Sequence, residues 1–347
     1  MRADAVLIVS FGGPQGLDDI RPFLANVLRG RRVSPERVEE VAHHYELFGG
    51  VSPITELTMH QAQGLRQRLA AEGPALPVYV GMRNWHPYLA DTLRQMYDDG
   101  VRHAIAFITS AFHSYSSCQQ YRENVAAARA ELRATRPGDI EITFVGSWFD
   151  HPGFIETNAR HIETALRQLP PAEAAAARIV FTAHSIPVSM ASTSRYREQL
   201  AEVSQKVAER VGRDWALVYQ SRSGRPEDPW LEPDVCDFLR DARAEGVRAV
   251  VVCPIGFVCD HVEVLYDLDY EAAQVCRDLG IPMVRAASVN DDPLFVDMMA
   301  DVVRRTLTRY PGRPLPLVAL PKPEGVAPGG RPGGGPPPGV AGGQRPN

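Results

Sequence analysis

The stretch PYLADTLRQMYDDGVRHAIAFITS (87–110) decides the fold. After Pro87, residues Tyr88–Asp99 carry apolar side chains at helical spacing. Gly100 breaks that pattern, and AIAFITS (104–110) follows as a nearly continuous apolar run. A strand without polar alternation is buried on both faces, as in a parallel sheet covered by helices. The same order returns about 140 residues later. PWLEPDVCDFLRDARAEGVRAVVVCPIG (229–256) again reads proline, helix (Val235–Glu245), Gly246-Val247-Arg248 and strand, with Asp237 and Leu239 standing where Asp91 and Leu93 stood. A second pair, Asp150-His151-Pro152-Gly153-Phe154-Ile155-Glu156 and Asp291-Asp292-Pro293-Leu294-Phe295-Val296-Asp297, opens a helix just after a strand in each half. Two ordered echoes at a similar offset imply a duplicated architecture.

Working outward, the runs AVLIVSF (5–11), VYVGM (78–82), ITFVGSW (142–148), IVFTAHS (179–185), ALVYQS (216–221) and PMVRAAS (282–288) complete a strand set alternating with helices. This predicts an α/β fold of two similar halves built from βαβ units with parallel strands. The boundary falls near Pro170-Pro171, giving halves 1–170 and 171–320, with the last helix free to pack back on the first half. Residues 321–347 are dominated by Pro and Gly with few apolar anchors. Such a segment cannot bury enough surface to offset its ordering entropy, so a disordered tail is expected.

Composition narrows the function classes. The chain is 44% hydrophobic and 23% charged with a net charge of −5, and no basic block points to nucleic acid. The start shows no secretory signal, and no apolar run is long enough for a membrane span, so a cytoplasmic protein without stable membrane insertion is expected. The near-neutral surface and absence of heptads point to a monomer. Five cysteines without a CxxC pair argue against a disulfide framework. Cys253 and Cys259 read as buried free thiols. GxGxxG, the P-loop, GxSxG and HExxH are absent, which disfavours nucleotide, hydrolase and zinc-protease chemistry. Phe11-Gly12-Gly13-Pro14 instead reads as a tight turn that lets a flat ligand approach the backbone.

Two features carry chemistry. His184 ends a strand, where α/β folds bind ligands, and histidine moves protons near neutral pH. A lone histidine there is structural about as often as functional. In CPIGFVCDHVEVLYDLDYEA (253–272), Glu263, Asp267 and Glu271 are spaced i, i+4, i+8 and form one acidic line on a helix, headed by Asp260 and His261. The line is either a solvated face or a path for a hydrated cation or protons, and like charges at this spacing repel. Arg29, Arg31 and Arg32 close the first helix, where they complement its dipole or hold ligand carboxylates.

FTAHSIP (181–187), CPIGFVCDHVEVLYDLD (253–269), QSRSG with PWLEPDV (220–235), HYELFGGVSPI (44–54) and SFGGP (10–14) together resemble the ferrochelatases. In detail, including RNW (83–85) and SSCQQY (116–121), the chain is similar to the coproporphyrin ferrochelatases of actinobacteria. The resemblance spans about residues 3 to 310. It implies two Rossmann-like chelatase lobes with four-stranded parallel sheets, a porphyrin cleft between them, and insertion of Fe(II) as substrate into coproporphyrin III with release of two protons, in heme b synthesis. It implies His184 as iron-side ligand and proton acceptor, Glu263 as its partner, and Asp267 and Glu271 continuing the acidic line. Both His184 and Glu263 belong to the second half. It implies that Phe11, Arg29, His44, Tyr45, Ser52 and Tyr121 of the first half line the porphyrin or hold its propionates. Phe11 stands where some relatives carry an iron-ligating tyrosine, so no axial tyrosine is expected. Many actinobacterial relatives bind a [2Fe–2S] cluster through four cysteines, most of them in the C-terminal extension. Here the tail and residues 187–200 hold no cysteine, so no cluster is expected. Transient contact with other heme-pathway enzymes is compatible with this reading. Protoporphyrin IX is the alternative substrate. A non-catalytic porphyrin carrier and a sugar or nucleotide enzyme are the competing classes.

Overall fold

The computed structural model describes residues 3–30, 33–223 and 227–309. Arg31, Arg32 and the segment 321–347, singled out above, lie outside the described residues. Four parallel strands form the first sheet: β1 (Ala5–Ser10), β2 (Val78–Met82), β3 (His103–Ile108) and β4 (Glu141–Phe144), in the order β2-β1-β3-β4. Four more form the second: β5 (Ala177–His184), β6 (Trp215–Gln220), β7 (Ala249–Cys253) and β8 (Met283–Arg285), in the order β6-β5-β7-β8. The two orders are the same permutation, so the repeated stretches of sequence occupy equivalent places. The run 103–108 is the third strand of one sheet, and 249–253 is the third strand of the other.

The local reasons are also repeated. Gly100 and Gly246 both adopt φ +89°. Each ends its helix in the left-handed region, open to glycine at little cost. The following valine amides bond back to the helix at 2.9 Å, Val101 to the Met96 carbonyl and Val247 to the Ala242 carbonyl. Before the helices Pro152–Leu166 and Pro293–Arg309, His151 Nδ1 accepts from the Gly153 amide (3.0 Å) and Asp292 Oδ1 from the Leu294 amide (2.8 Å). These caps satisfy amides that a helix start leaves unpaired.

β1 is buried along its whole length, as its unbroken apolar run requires. One contiguous apolar cluster takes in Val6, Ile8 and Phe107 of the first sheet, Phe181 and Val251 of the second, and Phe154 and Phe295 of the helices between them. The halves therefore share a core. The helix Pro293–Arg309 packs on Ile54–Glu72 and Pro152–Leu166. All five cysteines are free, and Cys253 and Cys259 are buried. Among the described residues no helix is long and apolar enough to cross a membrane.

Candidate functional site

The carboxyl ends of the two sheets supply the site. His184 is the last residue of β5. Its Nδ1 lies 2.5 Å from the Ser185 carbonyl, which can only accept, so Nδ1 carries the proton in the neutral ring. Nε2 is then a bare lone pair, and it faces Glu263 Oε2 at 3.8 Å. The Tyr196 hydroxyl donates to the His184 carbonyl at 2.9 Å and fixes the strand end.

Glu263 sits on the short helix Val262–Val264 after β7. Val262 is buried in an apolar cluster with Phe23 and Tyr45, against which Phe11 and Trp85 pack. This anchors the second half's acidic segment in the first half. The same Oε2 of Glu263 lies 3.6 Å from His261 Nε2. One carboxylate oxygen is thus flanked by two imidazoles. His261 Nδ1 is buried without a hydrogen-bond partner. The sequence reading placed His261 only at the head of the acidic line, because its ring position depends on the loop before the helix.

The helix expected over the acidic line is not a simple α-helix. Leu265–Ala272 forms a π-helix, and α-helix resumes at Ala273. The wider i→i+5 ring is uncommon and concentrates at functional sites. Gln220, at the end of β6, bridges the widened turn. Its amide donates to Asp267 at 3.1 Å and approaches the Glu263 carbonyl at 3.4 Å. Ser221 donates its hydroxyl to the same carboxylate, from a left-handed backbone at φ +60° that is unusual for serine. Burial, reinforced by the charges of Glu263 and Glu271, pushes the Asp267 carboxyl up to about 7, against the opposing hydrogen bonds of Ser221 and Gln220. Burial also raises Glu271, which accepts a hydrogen bond from Tyr266. The three acids therefore sense one another along a row that starts at His184.

The first half supplies the other wall. His44 stacks flat on Tyr266, with ring centroids 3.5 Å apart and an 11° tilt. Burial and Arg37 lower the His44 pKa, which favours the neutral ring. Tyr45 is buried against Phe23 (5.6 Å) and lies close enough to Glu263 to feel its charge. Phe11 meets Phe23 edge-on at 6.2 Å. Tyr121 is buried beneath the guanidinium of Arg83, 4.4 Å from its ring centroid, and Arg83 also lies 5.7 Å from the Phe11 ring. Arg29 is exposed and bonds Asn26 at 2.6 Å. Ser52 is buried beside Gly13, where an added Cβ would lie 2.6 Å from the serine Cβ. The close approach expected at the Gly12-Gly13 turn is thus made by Ser52. The place of Arg83 over two rings follows from the fold and not from its neighbours in sequence.

The donor set bears on an iron–sulfur cluster. Among the described residues no three His, Cys, Asp or Glu side chains group as a metal site. Cluster ligands are thiolates. Burial pushes Cys236 and Cys259 up to about 12 and Cys276 to about 11. Among the described residues no four cysteines come together as a ligand set.

The chain aligns with a ferrochelatase from Rhodopirellula baltica at 49% identity, over 90% of this chain and 88% of the relative. It aligns with a coproporphyrin III ferrochelatase from Streptomyces coelicolor at 48% identity (86% and 84% of the two chains). A protein of the same name from Mycolicibacterium smegmatis matches at 45% (90% and 92%). Among solved structures, SirB from Bacillus subtilis with Fe3+ superposes with a TM-score of 0.55 at 10% identity, covering 89% of this chain and 98% of that one. That likeness concerns the fold alone. The model of the ferrochelatase family matches residues 3–307, which takes in both sheets, His184 and the acidic row. The chain belongs to the ferrochelatase family.

Proposed function

We propose that the protein inserts Fe(II) into coproporphyrin III, releasing two protons and forming the iron coproporphyrin, as a lyase-class metal chelatase of heme synthesis in the cytoplasm. The observation that carries this reading is Nε2 of His184 facing Glu263 Oε2 at 3.8 Å, at the head of a row of carboxylates, in a chain of this family. Curated relatives named coproporphyrin III ferrochelatase, at 45–48% identity, support the substrate.

Two pyrrole N–H protons must leave as the metal arrives. His184 Nε2 accepts the two one after the other, because its neutral tautomer is held by the Ser185 carbonyl. Glu263 stabilises the imidazolium and passes each proton to Asp267, which releases it to water before the next arrives. An acid poised near 7 takes up and gives back protons at neutral pH with little cost in either direction. The same oxygen-rich row suits an incoming hydrated divalent cation. On the opposite wall, Phe11 gives an apolar face without a ligating hydroxyl, so the product iron gains no phenolate from this position. Tyr45, Tyr121, Ser52, His44 and Arg29 would border the macrocycle and its carboxylates.

The test is anaerobic turnover with Fe(II), followed by the Soret shift, on coproporphyrin III and protoporphyrin IX side by side. Faster kcat/KM on coproporphyrin III is expected. Equal or faster turnover of protoporphyrin IX would overturn the substrate assignment. Binding without turnover would make the protein a carrier.

A further inference from the structure

The acidic row is carried by a segment at the carboxyl end of the second sheet, and the two edge strands of that sheet hold it. Gln220 at the end of β6, with Ser221 after it, grips Asp267. Arg285, the last residue of β8, grips the segment from the other edge. Its Nε donates to Asp269 Oδ1 at 2.6 Å, and its Nη1 to Asp260 Oδ1 at 3.0 Å. Asp260 and Asp269 bracket residues 261–268, the span that contains Glu263 and Asp267. One side chain thus ties both ends of that span to one strand.

The two ends are not fastened equally. Asp260 is also held by Asn290, whose Oδ1 accepts from the Asp260 amide at 2.8 Å and whose Nδ2 donates to its carboxylate at 3.1 Å. The Asn290 carbonyl in turn accepts from Gln61 of the first half at 2.6 Å. For the Asp269 carboxylate, Arg285 is the one hydrogen-bond partner among the described residues. Losing Arg285 would therefore release the π-helical end while the Asp260 end stays moored. The side chain of Arg285 is only 14% exposed, and a guanidinium so enclosed needs both carboxylates to offset its desolvation. The chemistry depends on this placement. His184 Nε2 and Glu263 Oε2 stand 3.8 Å apart, beyond hydrogen-bond reach, so a small movement of the segment decides whether a proton passes.

We propose that Arg285 is a positioning residue for metal insertion: through Asp260 and Asp269 it sets where the Glu263 carboxylate stands relative to His184. This deepens the reading of the protein as a chelatase and rests on it.

The experiment measures anaerobic Fe(II) insertion into coproporphyrin III by the full chain, by Arg285→Leu and by Asp269→Asn, with rates expressed per porphyrin-binding site. Misplacing a catalytic group by about 1 Å can cost about a hundredfold in rate. For Arg285→Leu, kcat is expected to fall by about tenfold to a hundredfold, with porphyrin KM within about twofold of wild type. Asp269→Asn weakens one grip at a more exposed carboxylate, so its kcat should fall by less. It takes the place of the leucine variant throughout if that variant does not fold. Each change is then combined with Glu263→Gln. If Arg285 acts by placing Glu263, its removal adds little once that carboxylate is gone, and the double variant should lie within about threefold of Glu263→Gln. A merely structural loss would multiply with the Glu263→Gln loss instead. Full multiplication, or wild-type kcat in the folded variants, would overturn the positioning role and leave the chelatase reading intact. A wild-type protein that inserts iron into neither coproporphyrin III nor protoporphyrin IX would overturn the chelatase reading and the positioning role with it.

Discussion

Asp267 is a costly residue for the folded state at neutral pH, and replacing it with asparagine should show this. Its carboxyl is lifted from 3.8 to about 7 by burial and by the charges of Glu263 and Glu271. Each pKa unit corresponds to about 1.4 kcal/mol between the two protonation states. The shift therefore sets an upper bound of about 4 kcal/mol, and about 2 kcal/mol after allowing for partial solvent access to the side chain. The folded state binds this proton more tightly than the unfolded chain, so the contribution is present in full below about pH 4. It is lost as pH rises through about 7. The asparagine side chain of Asp267→Asn has no proton to lose. It keeps an oxygen for the Ser221 hydroxyl, at the position where Ser221 and Gln220 now donate to the carboxylate. Thermal unfolding of both proteins between pH 5 and 8 is the assay. Asp267→Asn is expected to gain on the wild type as pH rises, with Tm about 3 °C higher at pH 8. Metal insertion should fall at the same time, because the row has lost its titrating member. Parallel Tm curves across this range would show that the carboxyl is not held out of water as described.

Other expectations concern the two walls. Glu263→Gln should lower kcat by about 10²–10⁴-fold with little change in porphyrin affinity, measured in steady-state iron insertion, because it removes the charge facing His184. A variant at wild-type kcat would exclude Glu263 from proton transfer. Gly13→Ala would place a methyl 2.6 Å from the Ser52 Cβ and 2.9 Å from Ile54 Cγ2. A loss of about 1–3 kcal/mol in urea unfolding is expected, together with a higher porphyrin KM as Ser52 is displaced.

Much of the fold was legible because its cause is local. Unbroken apolar runs are enough to announce buried parallel strands, and the Gly-Val-Arg turns at 100–102 and 246–248 repeat because both helices end in the same left-handed glycine. His184 was legible as a strand-end histidine and Glu263 as the first of three spaced acids. The π-helix was not, since the spacing of Glu263, Asp267 and Glu271 suits an α-helix equally and the widened turn leans on Gln220 from another strand. His261 and Arg83 share that difficulty. One lies against the Oε2 it shares with His184, and the other against rings that follow two different strands. The resemblance placed both His44 and Tyr45 on the porphyrin wall. The helix Pro35–Glu46 separates them, stacking one on Tyr266 and burying the other against Phe23.

The central claim is that His184, with its Nε2 free toward Glu263, removes the pyrrole protons during metal insertion. Anaerobic turnover of coproporphyrin III with Fe(II) by wild type and His184→Ala tests it most directly, with porphyrin binding to each protein measured in parallel. The account expects the variant to bind coproporphyrin III nearly as well as wild type while insertion falls by at least about a hundredfold. Insertion by a folded His184→Ala protein at close to the wild-type rate would contradict it.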